Sequence, residues 1–135
     1  MTTPTFEAGQ ELTEQSFVVD REKLRAYAAA SGDHNPIHLD ERFAQSVGLP
    51  NVIAHGMFTM ALAGEAVRRW MGPGSQVFDF STRFTKPVVV PADRETILHF
   101  TGKIVEVRSN EVAVEVTALC EGVKVLGQTK AQIRW

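Results

Sequence analysis

Two short clusters of polar residues carry the side chains that could do chemistry in this sequence. The first is the turn 32–40, in which Asp33, Asn35 and His38 lie close together along the chain. A glycine and a proline in this turn oppose regular helix and strand, so its polar side chains fall in irregular structure, where catalytic groups are commonly mounted. The second cluster is the segment 54–57, Ala-His-Gly-Met, which follows shortly afterwards.

The carboxylate of Asp33 and the imidazole of His38 could face one cavity and hold one water molecule between them. Such a pair can take a proton from water and return a proton to a neighbouring carbon, which adds water across an activated double bond. Asn35 could fix the loop by hydrogen bonding to backbone through its amide. The residues leave an alternative open, in which Asp33 and Asn35 only form a turn and His38 is an ordinary core histidine.

The segment 54–57 predicts a different kind of group. If an apolar helix begins here, the N–H groups of Gly56 and Met57 have no partner inside the helix, and the positive end of the helix dipole lies behind them. This arrangement could form an oxyanion hole for a carbonyl oxygen. The alternative is a helix start with a flexible glycine. We interpret His55 mainly as structural, with contact to a substrate as the less favoured alternative.

Three helices are predicted to position these clusters. Asp20 is a candidate N-cap for a helix over 21–30, which Gly32 ends, and Asp40 is a candidate N-cap for a short helix that ends at Gly48. The polar turn is therefore held between two helices. Small and apolar residues at helical spacing predict a third helix from Gly56 to Met71, buried nearly all round.

The rest of the sequence is typical of strands. A short strand could end at residue 19, and alternating patterns cover 78–84, 96–107, 111–120 and 123–135, whereas 88–90 lies between prolines and reads as an edge or connecting segment. The predicted fold class is therefore α+β. We expect one domain over 1–135, with an antiparallel curved sheet of about five strands wrapped around the long central helix.

Composition narrows the possible functions. The 135 residues are 44% hydrophobic and 22% charged, which is typical of a globular protein, and the formal net charge of -2 gives no general attraction to nucleic acid or to an anionic membrane. No signal-peptide pattern or apolar run of membrane-spanning length is found, so a cytoplasmic location is expected. With Cys120 as the single cysteine, no disulfide is predicted, and neither a metal nor a cofactor is expected.

The segment 27–44, and above all Ser-Gly-Asp-His-Asn-Pro-Ile-His at 31–38, resembles the signature of the MaoC-like, R-specific enoyl hydratases. The segment 54–57 resembles the second landmark of that family. The resemblance implies a hotdog fold with 56–71 as the enclosed helix. It also implies roles for four residues: Asp33 and His38 as the catalytic pair, Asn35 as the support of their loop, and the backbone N–H of Gly56 as the donor to a thioester carbonyl.

The activity implied is a hydro-lyase reaction, the reversible syn hydration of trans-2-enoyl thioesters of CoA or acyl carrier protein to (3R)-3-hydroxyacyl thioesters. In fatty-acid metabolism this could be the dehydration step of chain elongation. The resemblance implies pairing, as a homodimer or as a heterodimer with a related hotdog subunit. Within the family, the sequence is similar to the catalytic B-type subunit of the mycobacterial (3R)-hydroxyacyl-carrier-protein dehydratases.

Two rival functions use the same fold. One is an acyl thioesterase, and the other is a non-catalytic hotdog subunit of a heterodimeric dehydratase. The first generally lacks the loop from Asp33 to His38, and the second would have lost one of those two residues. Bulky apolar residues of the third helix and the first long strand are candidate walls of an acyl pocket: Met57, Phe58, Met60, Phe80 and Phe84.

Overall fold

The computed structural model describes residues 5–135, which form three α-helices, one 3-10 turn and six strands. In chain order these are β1 (Glu11–Val19), α1 (Arg21–Ser31), the 3-10 turn (Pro36–His38), α2 (Glu41–Ser46), α3 (Gly56–Met71), β2 (Gln76–Phe84), β3 (Thr96–Val107), β4 (Glu111–Cys120), β5 (Val123–Lys124) and β6 (Leu126–Arg134). None of these helices is long and apolar enough to cross a bilayer.

The strands form one antiparallel sheet in the order β1-β3-β4-β6-β2, with the two-residue β5 paired to β4. In β3 and β4 every second residue faces the core for most of the strand, and α3 contacts β1, β2, β3, β4 and β6. This period-two burial is the pattern expected of a sheet with one covered face. The predicted α+β architecture, a sheet wrapped around one long helix, is confirmed.

Two strand boundaries differ from the predictions. β1 begins at Glu11, well before its apolar end. Among the described strands it pairs only with β3, at the edge of the sheet, and most of its residues are at least partly exposed, so an apolar pattern marks only its last residues. The predicted last strand is split at Val125. Its N–H donates to the carbonyl of Ala118 in β4, while its carbonyl accepts from the N–H of Thr85, which follows β2. The backbone of Val125 therefore bonds to two different segments, and this interrupts the strand.

The prediction that α3 is buried nearly all round is wrong for the chain on its own. One side packs on the sheet through the buried residues Thr59, Ala63, Ala66, Val67 and Met71. On the other side Met57 is 57% exposed, and a methyl group added at Gly64 would meet nothing within 4 Å in the part of the chain that the structure describes. The sheet covers only one side of the helix, whereas small and apolar residues occur on both. Sequence alone cannot say which side has a neighbour.

The caps that hold the polar turn are confirmed. Gly32 ends α1 in the left-handed region, with φ of 79°, and its N–H donates to the carbonyl of Ala28. Asp40 caps α2 by accepting from the N–H of Phe43 at 3.1 Å. Both ends of the turn are therefore fixed by local hydrogen bonds, which limits the positions that its side chains can take.

Candidate active site

The turn 32–40 is organised by hydrogen bonds from its own side chains to its backbone. Asp33 Oδ1 accepts from the N–H of Asn35 at 3.2 Å, and Asn35 Oδ1 accepts from the N–H of Ile37 at 3.2 Å. Asn35 is thereby the N-cap of the 3-10 turn, with Pro36 at its first position. The turn chemistry considered as an alternative is present, and it shapes the backbone that carries His38.

His38 is buried, with 7% of its surface exposed, and one of its two ring nitrogens is committed to structure. Nδ1 lies 2.7 Å from the carbonyl oxygen of Ile53. A carbonyl oxygen can only accept, so Nδ1 carries the hydrogen and donates it. When the ring is neutral, Nε2 is left with a free lone pair. His38 therefore offers a proton acceptor of fixed orientation at the wall of a cavity.

Asp33 and His38 lie together, and His55 lies with them. One carboxylate oxygen of Asp33 and one nitrogen of each ring all lie within 4.8 Å of one another. Where the ring nitrogen is the unprotonated Nε2 of His38, it and the carboxylate oxygen are two acceptors that a single water molecule can bridge by donating one hydrogen to each. Asp33 is exposed and does not line the cavity next to His38, so in the chain on its own the carboxylate stands at an open edge of the site.

The same three side chains are of types that bind metals, but the arrangement of the two rings favours a water molecule over an ion. The rings of His38 and His55 are stacked, with centroids 3.9 Å apart and planes 26° from parallel. A zinc ion lies in the plane of each imidazole that binds it, at about 2.0–2.1 Å from the nitrogen. Two nearly parallel stacked rings cannot both meet that condition for one ion.

Gly56 is the first residue of α3, and His55 precedes it as the N-cap. The helical hydrogen bonds begin with Phe58 and Thr59, whose N–H groups both donate to the carbonyl of His55. Within residues 5–135 the N–H of Gly56 consequently has no acceptor. A Cβ at this position would lie 3.1 Å from the ring of Phe84, so glycine leaves room that a side chain would fill.

A cavity of about 340 Å³ joins these groups. His38, Gly56 and Thr59 line one side, and the segment from Phe84 to Val88 lines another. Thr59 was not predicted as a site residue, although its place three residues after Gly56 puts it on the same face of the helix. Lys86 also lines the cavity and was not predicted as a site residue either.

The predicted pocket walls fall in different places. Phe84 lines the cavity beside Gly56, but Met57, Met60 and Phe80 line a separate apolar hollow of about 600 Å³ on the open side of α3. Phe58 lines neither of these two hollows. It is half-buried and packs on Tyr27, with ring centroids 5.2 Å apart. Their assignment to an acyl pocket stays a prediction.

The comparisons with known proteins agree with this geometry. A family model described as a MaoC like domain matches residues 3–122, which is most of the chain. The chain belongs to the MaoC-like domain family. Among its curated relatives is the 3-hydroxyacyl-thioester dehydratase X of Mycobacterium tuberculosis, 46% identical over 70 residues, which are 52% of this chain and 24% of that protein. The chain thus matches about a quarter of that relative's length.

Solved structures of MaoC-like proteins have the same fold. A MaoC-like dehydratase superposes with a TM-score of 0.93 at 37% identity, over 98% of this chain and 42% of the other. An R-hydratase of Pseudomonas aeruginosa gives a TM-score of 0.85 at 30% identity, over 96% of this chain and 81% of the other. The predicted hotdog fold is confirmed by these neighbours, while the roles of the individual MaoC-like site residues stay predictions.

Proposed function

We propose that the chain is a hydro-lyase that catalyses the reversible syn addition of water to trans-2-enoyl thioesters, giving (3R)-3-hydroxyacyl thioesters. The observation that carries this proposal is the meeting of three groups. The Asp33 carboxylate and a His38 ring nitrogen lie within 4.8 Å of each other, and His38 shares its cavity with Gly56, whose N–H has no acceptor within residues 5–135. The names of the relatives support the same class of reaction.

The two side chains can hold and activate the water. Its oxygen has two hydrogens, and the structure offers two acceptors for them, the Asp33 carboxylate and the free Nε2 of His38. With both hydrogens bound, a lone pair of the oxygen is directed away from Asp33 and His38, toward the substrate. As the oxygen bonds to C3, one O–H bond breaks and its proton passes to the acceptor that holds it.

The Gly56 N–H can stabilise the charge that this attack creates. When the C3–O bond forms, the electrons of the C2–C3 double bond move toward the thioester carbonyl and produce an enolate oxygen. A backbone N–H at the positive end of α3 donates to that oxygen without having to reorganise. The enolate then collapses, and C2 takes a proton from the Asp33–His38 pair on the same face. One water is consumed and the pair returns to its starting state.

A thioester is the substrate class because its carbonyl both activates C3 and acidifies C2. CoA and acyl carrier protein present the same phosphopantetheine thioester, and either fits the chemistry. The dehydration direction would make this the elimination step of fatty-acid elongation. A cytoplasmic location, which the sequence leads us to expect, is part of the proposal.

We also propose that the chain acts as a pair of hotdog units, either with a second copy or with a related subunit. Two neighbouring apolar surfaces support this: the open side of α3 around Met60, and the edge strand β2, where Val77 and Phe78 are each 40% exposed. An unpaired apolar edge strand is a ready site for pairing with another chain.

The reaction is tested with purified protein and crotonyl-CoA, by loss of the enoyl absorbance and by chiral analysis of the product. We expect the (3R)-hydroxy thioester, and a fall of about a hundredfold or more in the Asp33→Asn variant, which keeps the hydrogen bond to Asn35 but loses the charge. Release of free thiol in place of the hydroxy product would instead indicate a thioesterase. Equal rates for Asp33→Asn and the unmodified chain would refute the mechanism.

A subunit without activity of its own would fail this assay alone and in the presence of a carrier-protein substrate. Pairing is measured separately, as molar mass by light scattering. If the partner is a second copy, we expect twice the mass of the chain, with a shift toward the monomer in Met60→Glu. Val105→Glu is the matched control, since Val105 is also apolar and 45% exposed but lies on β3, away from α3. Equal shifts in both variants would argue against this interface.

A further inference from the structure

His55 lies behind the cavity rather than on its wall. It is 1% exposed, and its ring is packed between two others. On one side it stacks on His38 at 3.9 Å between centroids, and on another it meets Tyr27 edge-on at 4.7 Å. It does not line the cavity of His38 and Gly56, so it does not touch a substrate held there.

One hydrogen bond fixes the form of this ring. Nε2 lies 3.0 Å from the backbone carbonyl oxygen of Asp33, and because that oxygen can only accept, Nε2 carries the hydrogen. Burial lowers the pKa of His55, so the ring stays neutral near pH 7 and its Nδ1 is an unprotonated nitrogen. That Nδ1 is itself buried and has no hydrogen-bond partner within residues 5–135.

A buried nitrogen without a partner calls for an explanation, because an apolar aromatic ring would pack against Tyr27 at no such cost. What an imidazole adds here is the hydrogen bond to Asp33. The same ring supports His38 by stacking, and the backbone of His55 begins α3 by accepting from Phe58 and Thr59. One residue therefore joins the two side chains of the proposed water site to the helix that carries the Gly56 N–H.

We propose that His55 is the positioning residue of this site, holding the Asp33 backbone and the His38 ring at the separation that a single bridging water requires. The inference rests on the proposed function for its consequence in catalysis, but its structural content stands apart from the reaction. In this role His55 donates no proton to substrate. Its loss lowers the turnover of bound substrate rather than the binding of substrate.

Two substitutions separate the hydrogen bond from simple packing. His55→Phe keeps a stacked aromatic ring and removes the donor, whereas His55→Gln can place an amide N–H near the position of Nε2. We expect Phe to lower kcat for crotonyl-CoA by about tenfold to a hundredfold with little change in KM, since small displacements of reacting groups cost this much. Gln should be faster than Phe by about fivefold or more. Near-normal kcat for Phe, or Gln no better than Phe, would overturn the proposal.

A measurement without substrate keeps this inference distinct from the proposed function. In ¹⁵N spectra of the histidine rings, His55 should show a protonated Nε2 and a bare Nδ1 at neutral pH. In His55→Phe, the amide signals of the turn from Asp33 to His38 should shift while those of β4 do not. If the unmodified chain hydrates no thioester, the proposed function fails and these spectra still decide the role of His55. Unshifted turn signals would overturn the role even in an active enzyme.

Discussion

The turn 32–40 and the start of α3 meet at the proposed site, and in the proposed mechanism they contribute different kinds of groups. The turn contributes side chains, the Asp33 carboxylate and the His38 ring. The start of α3 contributes backbone: the carbonyl of Ile53 just before it orients His38, and the N–H of Gly56 has no partner within residues 5–135. Even His55, whose side chain is large, donates to a backbone carbonyl, that of Asp33.

This difference decides how each region can be studied. A substitution can remove the reactive group of a side chain and leave the backbone unchanged. Backbone chemistry is untouched by most substitutions, and only proline removes an N–H. If the two regions form one site as described, deleting a group from either should lower the same kinetic quantity, kcat, and the losses should rank by how directly each group handles a proton or a charge.

Removal of the His38 base should have the largest effect. In His38→Asn the side-chain amide can still donate to the carbonyl of Ile53, but the acceptor at Nε2 is gone. We expect kcat for enoyl-thioester hydration to fall by about a hundredfold to ten-thousandfold, the range of general acid–base catalysis. Steady-state kinetics with crotonyl-CoA measure this loss, and circular dichroism checks the fold.

His38→Ala is the comparison that sharpens this result, because it removes both nitrogens. If the turn's contribution is chemistry at Nε2, Ala and Asn lose similar activity, and Ala alone also loses stability. A rate for Asn close to that of the unmodified chain would mean that His38 serves only to bind Ile53, and the turn would then be structural.

The backbone contribution of α3 can be removed by Gly56→Pro. Proline is well tolerated at the first position of a helix, and His55 already has φ of -57° and ψ of 133°, which suit the residue before proline. The substitution deletes the N–H proposed to hold the enolate oxygen. Loss of one oxyanion donor costs about a hundredfold to a thousandfold in kcat.

Gly56→Ala is the matched control, since it adds a Cβ against the ring of Phe84 and keeps the N–H. Phe84 is 55% exposed, so its ring can move aside at small cost. We expect Ala to retain at least about ten times the kcat of Pro. Equal losses of kcat in the two variants would mean that crowding against Phe84, and not loss of the N–H, lowers the rate. The start of α3 would then contribute no backbone donor to the reaction.

The sequence predicted the caps of the turn well because capping depends on residue type. Asp20, Asp40 and Gly32 are caps that act through local hydrogen bonds, and each was found where its type and spacing placed it. The long helix could be predicted from its starting glycine to Met71 for a similar reason, as an apolar pattern between breakers. These features depend on neighbours within a few residues of the chain.

What could not be predicted depends on neighbours distant in sequence. His38 bonds to Ile53, and His55 bonds to Asp33, across long separations in sequence. These hydrogen bonds form only in the folded chain, so no local pattern predicts them. The open side of α3 was misjudged for the same reason, because an apolar residue such as Met57 is compatible with burial by this chain or by another. Phe58 faces Tyr27, which no local pattern indicates.

A smaller effect is expected at Asn35, which supports the turn without handling the water. Asn35→Ala removes the acceptor for the N–H of Ile37 and should cost about 1 kcal/mol of stability, as loss of an N-cap does. Asn35→Ser restores a capping oxygen and should recover that stability and most of the activity. Denaturant unfolding and kcat are measured together. A Ser variant that is stable but slow would show that the Asn35 amide has a role in the reaction.

The smallest expected effect is a pH dependence of stability that originates at the start of α3. Burial lowers the pKa of His55 in the folded chain below its ordinary value of about 6.5. As pH falls, the unfolded chain therefore binds a proton at His55 before the folded chain does. The contribution of His55 to the free energy of unfolding is fully present above about pH 6.5 and is lost as pH falls toward the lowered pKa. Urea unfolding between about pH 7.5 and pH 5.5 should show a shallower loss for His55→Gln than for the unmodified chain. The other histidines remain in both proteins, and identical slopes would mean that the His55 ring accepts a proton where it lies.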